Sequence, residues 1–351
     1  MLPITNNEIA QTIMKSFLMQ YGRIGCTNEI FPEPVHLVHP LKDFRLSNNL
    51  DVPPPSPPTP YQYNNKHMRF MRMYFGKSEM KNWTEQSIRA LSVFGFMNDL
   101  WTREIFGNCN GIIHQFCVDR QQTSPLCSLL KAHSPENEIG MYEDDIFQHY
   151  AADPSLILRL FDFYPTPPFF ENSSALESYD RDPLIAFHEV LSNIPTNAIG
   201  GMQVLIESVP RQNEMRDVIL RLTALHHELA LMVSPREFDP DWAFSTHSDN
   251  HRPSNNPKLD PAQNLFAYRL RLFLFAKKND AAELSRCLTA SMQTFSSGRR
   301  RFNILTEQEY EKAFAGDIYK IRQMICARIS YTTGCITSQS ELAALCHFPT
   351  E

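Results

Sequence analysis

Glycine is scarce. The 351-residue chain holds 12, against 25 prolines, which disfavours the glycine-rich loops that wrap nucleotide phosphates. No G-x-G-x-x-G occurs. Phe75-Gly76-Lys77-Ser78 has the closing half of a phosphate loop, but Met71 stands where its first glycine is required, so the tetrapeptide reads as a turn after a strand. A Cys-x-x-Cys pair is also missing. The eight cysteines are Cys26, Cys109, Cys117, Cys127, Cys287, Cys326, Cys335 and Cys346. Several sit inside apolar periodic segments, which points to reduced thiols rather than a disulfide framework or a zinc site. No apolar run approaches the roughly 18 residues that cross a bilayer, and Met1 to Tyr21 is too polar for a secretory leader. The expectation is a cytoplasmic protein that reaches the inner membrane face only through partners. Lys and Arg number 33 and Asp and Glu 39, a formal net charge of −6. That balance argues against a protein that mainly coats nucleic acid or anionic lipid.

What is present is ordinary globular composition, 42% hydrophobic and 21% charged. Residues 1–66 read as an extension. Asp51-Val-Pro-Pro-Pro-Ser-Pro-Pro-Thr-Pro60 within it is extended polyproline, either a spacer or surface wrap or a ligand for a partner groove. From 67 onward the grammar is mixed. Strands are expected at 68–74, 101–106, 112–118, 137–141 and 156–164, with helices at 82–97 and 125–133, the latter opened by Ser124-Pro125. The Pro-rich Tyr164 to Phe169 marks a boundary. A second module repeats the pattern: a helix from Asp182-Pro183 to Leu191, a strand 201–209, an amphipathic helix 214–233, a long polar loop 238–261, and a strand 265–276. Tyr268, Leu270, Leu272 and Leu274 alternate there with Arg269, Arg271 and Phe273, which predicts one buried and one partly wet face. A helix 281–295 and a strand 302–305 complete it. Thr306-Glu-Gln-Glu309 and Ser338-Gln-Ser-Glu341 are capping boxes, opening a helix to about 329 and a terminal helix stopped by Pro349. The fold class is therefore α+β: an extension 1–66, two related β-α sandwich-like modules at 67–165 and 166–305 with helices on one face of antiparallel or mixed sheets, and a helical segment 306–351.

Chemistry-bearing motifs are weak. His226-His227-Glu228 lies on the 214–233 helix, but Leu231 replaces the second ligand of a His-Glu-x-x-His zinc helix. His247 and His251 flank Asp249 in the long loop. No nucleophile, metal or cofactor motif emerges. Arg299-Arg300-Arg301 joins a helix to a strand and is the candidate nucleic-acid contact, with Arg269 and Arg271 beside it.

Ser338-Gln-Ser-Glu-Leu-Ala-Ala-Leu-Cys-His-Phe-Pro349 resembles a segment of bacterial ATPases similar to type IV secretion and conjugative-transfer coupling proteins. Asp182-Pro183-Leu184, Gln203 to Pro210, Tyr268 to Ala276, Glu104-Ile-Phe-Gly107 and Gly111 to Phe116 are similar to the same N-terminal α+β region, so the likeness runs over about 82–349. It implies the region preceding the motor, without the Walker motifs, so no ATPase residue carries over. It also implies a non-catalytic assembly domain with a motor ATPase as partner, homo-oligomers as a further expectation, and Leu342, Leu345 and Phe348 as an apolar docking patch. Two readings compete with it. One is an enzyme drawing on His227, Glu228, His247, Asp249 and His251; the other is a nucleic-acid-binding accessory protein.

Overall fold

The computed structural model describes residues 12–13, 28–38, 60–62, 67–74, 83–95, 97, 99–133, 137–165, 179, 182–209, 225, 264–295 and 302–347. Alternating side chains make the strands, and their pairing sets the architecture. The first six elements are β1 (Met68–Tyr74), α1 (Trp83–Phe94), β2 (Trp101–Asn108), β3 (Gly111–Asp119), α2 (Arg120–His133) and β4 (Glu138–Tyr142). Their sheet order is β4-β1-β3-β2. After α3 (Ile146–Ala152) the pattern recurs as β5 (Ile157–Pro165), α4 (Leu184–Ser192), β6 (Ile199–Val209), β7 (Leu265–Ala276), α5 (Lys278–Ser291) and β8 (Phe302–Thr306), in the order β8-β5-β7-β6. Each half is thus a βαββαβ unit of ferredoxin-like topology. Both halves meet where β2 pairs antiparallel with β6, Glu104 opposite Gln203, so one antiparallel sheet runs through the molecule. The register relates the halves residue by residue. Arg69-Phe-Met-Arg-Met-Tyr74 in β1 corresponds to Arg159-Leu-Phe-Asp-Phe-Tyr164 in β5. β5 therefore belongs to the second unit, not to the first module where the sequence reading put it.

The α+β class holds, but helices cover both faces rather than one. On the first face, Leu91 and Phe94 of α1, Leu126 and Leu130 of α2, Leu184 and Phe187 of α4 and Leu288 of α5 pack on Met71, Ile105, Val204, Leu272 and Leu274. On the second face, Phe147 of α3 joins α6 (Glu307–Ala313) and α7 (Ile318–Cys326) over Phe106, Leu160, Ile199, Phe273 and Phe275. β6 and β7 are buried along their whole length. Central strands with apolar residues on both sides require cover on both sides, so the face of β7 carrying Arg269 and Arg271 is not wet.

Two helix boundaries differ from the expectation. α2 starts at Arg120, because Asp119 accepts from Gln121 N (2.8 Å) and so caps an earlier turn; Pro125 is carried inside the helix. The helix expected from 306 to 329 is broken in two. Ala315 and Gly316 take positive φ (52° and 84°), and Asp317 restarts the chain by accepting from Tyr319 N (3.1 Å). Positive φ is inexpensive for glycine and costs other residues.

The chain closes with β9 (Cys335–Ser338), which pairs with the part of β7 that β5 leaves free, and α8 (Gln339–Cys346), opened by the expected capping box at Ser338 and Glu341. Residues 28–38, read from sequence as part of a separate extension, are strapped to this body. Phe31 N donates to Tyr331 O, Val35 N to Ser330 O (both 2.8 Å), and Gly334 N to Leu37 O (2.9 Å). Leu37 is buried in the core.

Candidate functional site

The predicted docking patch is not a surface. Leu342 is fully buried and Leu345 is 6% exposed, both in the core of the first face, where α8 packs on α1. The apolar stripe of a terminal helix reads alike whether it meets a partner or its own domain. Phe348, Arg299, Arg300 and Arg301 lie outside the described residues, as do His226, His227, Glu228, His247, Asp249, His251 and the 75–78 turn. Arg269 and Arg271 are fully buried, which removes them as nucleic-acid contacts.

What the fold does bring together is a polar row across its second face. Direct pairing places Gly140, Arg72, Gln115, Glu104, Gln203, Arg271, Asp162 and Leu305 side by side on successive strands. Glu104 is central: it accepts from Gln115 Nε2 (2.5 Å) and Gln203 Nε2 (2.8 Å), and from Arg328 Nε (2.9 Å). Arg328, at φ 52°, is wedged between the rings of Phe70 and Phe147 and also donates to both oxygens of Asp145. Burial alone would lower Arg328, but Glu104, Cys117 and Asp145 outweigh it and hold the guanidinium well above its ordinary value. In the second unit Arg271 donates from Nε to Asp162 Oδ1 (2.8 Å), from Nη2 to Oδ2 (3.3 Å), and from Nη1 to the Met324 carbonyl (2.7 Å). Tyr310 donates to Asp162 (2.6 Å), and its hydroxyl is pushed well above its usual range by burial and by that carboxylate.

A second cluster sits on the first face beneath α4 and α8. Arg103 is fully buried beside His114, with Nη2 2.9 Å from His114 Nδ1, and its Nη1 donates to the Glu104 carbonyl (3.2 Å). Burial lowers Arg103 to about 10; burial, then the Arg103 charge, holds His114 well below its usual value. His188, whose ring meets that of His114 at 5.0 Å, is pushed down to about 4, mainly by burial. Alongside, His347 Nε2 is 2.7 Å from Asp182 Oδ1 and its Nδ1 is 3.1 Å from the carbonyls of Ala343 and Ala344. Asp182 also accepts from Leu184 N (2.7 Å), where α4 begins.

Chemically, the ion pairs at the centre of both clusters are buried. Their carboxylates accept from arginines, glutamines, a tyrosine and backbone amides, and what they fix is the seating of α3, α4, α6, α7 and α8 on the sheet. Among the described residues no group of three or more His, Cys, Asp or Glu is arranged to hold a metal ion. Cys109, Cys117, Cys127, Cys287, Cys326 and Cys346 carry free thiols, and burial pushes those of Cys346 and Cys326 up to about 12, which suits packing rather than nucleophilic work. No described helix is long and apolar enough to cross a membrane. The row could be found only through register; the sole sequence signal was arginine at alternate positions of β7.

No family model matches the chain, and no curated protein matches it. Among solved structures, an unknown protein from Galdieria sulphuraria aligns over 68% of this chain and 98% of its own at 8% identity. Its TM-score of 0.19 is too low to carry an argument.

Proposed function

We propose that the chain is a non-catalytic platform that assembles beside a motor ATPase of the DNA-transfer or secretion type. The observation that carries this reading is the contact between His347 and Asp182. Each lies in a segment that resembles the region preceding such motors, and the two are 165 residues apart in sequence. The resembling residues have matching structural work: Ser338 and Glu341 cap α8, Leu342 and Leu345 fill the core beneath it, and His347 ties its end to the start of α4. A platform that must pass force or position to a neighbour benefits from a rigid layer. The row across the sheet, with its buried carboxylates Glu104 and Asp162 paired to Arg328 and Arg271, supports that role.

The test uses the full chain and the motor ATPase encoded nearest to it, both purified. The reading expects a complex by sedimentation and an altered ATP turnover of the motor, with no turnover from the chain alone. A mixture that sediments as two independent species with unchanged turnover overturns it. So does hydrolysis of ATP by the isolated chain.

A further inference from the structure

We infer that the outer end of the first unit's second face, at Arg72, Tyr74 and Tyr142, is a stacking site for the bases of single-stranded nucleic acid. This goes beyond the platform reading and stands without it. The helices over this face cover Phe106, Leu160, Ile199, Phe273 and Phe275, toward the middle and the second unit. Beyond them, Phe70 of β1 is still covered by Arg328, and only Arg72, Tyr74 and Tyr142 on this face are left partly open. Tyr74 is 47% exposed and Tyr142 half-buried. The two hydroxyls hydrogen-bond to each other at 2.6 Å, and the Arg72 guanidinium lies 3.9 Å from the centre of the Tyr142 ring.

Gly140 shows how these rings are carried. It sits opposite Arg72, and a Cβ there would come within 2.9 Å of the Tyr142 ring and 3.2 Å of the Tyr74 ring. Both rings therefore lean over bare backbone, along the sheet. Aromatic rings and a guanidinium plane laid on an antiparallel sheet form the surface on which unstacked bases rest, since every base offers a π-face. The hydroxyl bridge fixes both rings in advance, which reduces what must be ordered on binding.

Charge agrees with a polyanionic ligand. In a chain of net charge −6, β1 carries Arg69 and Arg72 and no acidic residue. Glu138, opposite Tyr74, and Glu143, paired with Arg69, oppose this locally. The surface is thus suited to modest, salt-sensitive binding led by stacking.

The experiment measures polarisation of a fluorescein-labelled oligothymidylate of about 15 nucleotides, and of a duplex of equal length, against the full chain at low salt. The single strand should bind and the duplex should bind more weakly. Tyr74→Ala and Tyr142→Ala should each weaken binding about tenfold, whereas Tyr74→Phe and Tyr142→Phe keep most of it. Arg72→Gln should lower the slope of log affinity against log salt by about one, and Glu138→Gln should tighten binding. Thermal midpoints of the alanine variants report whether the fold survives. No binding at low salt overturns the inference. Equal binding of duplex and single strand does so too, as does wild-type affinity in folded Tyr74→Ala and Tyr142→Ala proteins.

Discussion

The two βαββαβ units share one topology and one register, yet they treat the same row of positions in opposite ways. In the second unit the row is self-sufficient: Arg271 of β7 meets Asp162 on the neighbouring strand, and Tyr310 closes the pair from above. In the first unit the corresponding places hold Gln115 and Arg72, which do not neutralise Glu104. That carboxylate is completed by Arg328, delivered from beyond the second unit. Among the described residues the outer end is left partly open, where Tyr74 stands in the place that Tyr164 takes in the second unit. At these positions one half of the sheet is core and part of the other half is surface. The difference lies in which side chains occupy equivalent sites and in what the C-terminal segment brings to them.

The sharpest way to break this comparison is to remove the borrowed partner. Arg328→Met leaves Glu104 and Asp145 buried and short of a cation, and should cost about 3–5 kcal/mol in urea unfolding. Asp162→Asn should cost less, because Tyr310 and the Met324 and Ile329 carbonyls still hold the site together. Equal losses would mean that the first unit's pair has no special dependence on the C-terminal segment. Next in size is Leu342→Ala, expected to cost about 2–5 kcal/mol by the same measurement. A near-neutral result would return α8 to the status of a docking element.

Proton linkage separates the two faces further. His188 has its folded pKa lowered to about 4, so its neutral form is favoured by folding. The stability this represents is complete above the ordinary value of 6.5 and is lost as pH falls from there toward about 4. His188→Gln should flatten the acid limb of stability against pH over that window. His36 behaves in the opposite sense. The hydrogen bond with Glu207 raises it above 6.5 against the lowering effect of burial, with Glu207 and Asp99 charges adding to the rise. Its contribution is complete below 6.5 and fades as pH climbs through the raised value. Being partly exposed, it is worth no more than about 1 kcal/mol. Hydrogen exchange at the Leu37 and Val38 amides, both bonded to Glu207, should speed up across that rise in the natural chain. In His36→Gln it should lose the pH step.

The sequence carries the strands well because a period of two is local. β7 spans 265–276 both as an expectation and as an observation, and the capping boxes at Thr306 and Ser338 are closed by Glu309 and Glu341 as their spacing requires. What it hides is everything set by register across distance. Arg271 looks solvated in sequence because the pattern cannot show Asp162, 109 residues away, lying opposite it. Nor can an apolar stripe on 339–346 say whose core it enters. The break at Gly316 had a local signal, a glycine followed by the capping residue Asp317, and capping chemistry there outweighs the continuing helical period. The tyrosine surface had a weaker one, aromatic and basic residues alternating in β1, which gains meaning only when Gly140 is placed beside it.

The smallest effect is also the one that most sharpens the contrast between the units. Tyr74 and Tyr164 occupy equivalent positions, two residues beyond Arg72 and Asp162. If Tyr74 belongs to a surface, Tyr74→Ala should change stability by no more than about 0.5 kcal/mol, the loss of one exposed hydroxyl bond and little packing. Tyr164 packs against both cores and lies under Arg269, so Tyr164→Ala should cost about 2 kcal/mol or more through lost burial. A matched pair of unfolding curves decides the matter. Similar costs would mean that the first unit's tyrosine is structural mortar like its counterpart. A wide gap would mean that Tyr74 is held in place for something other than stability.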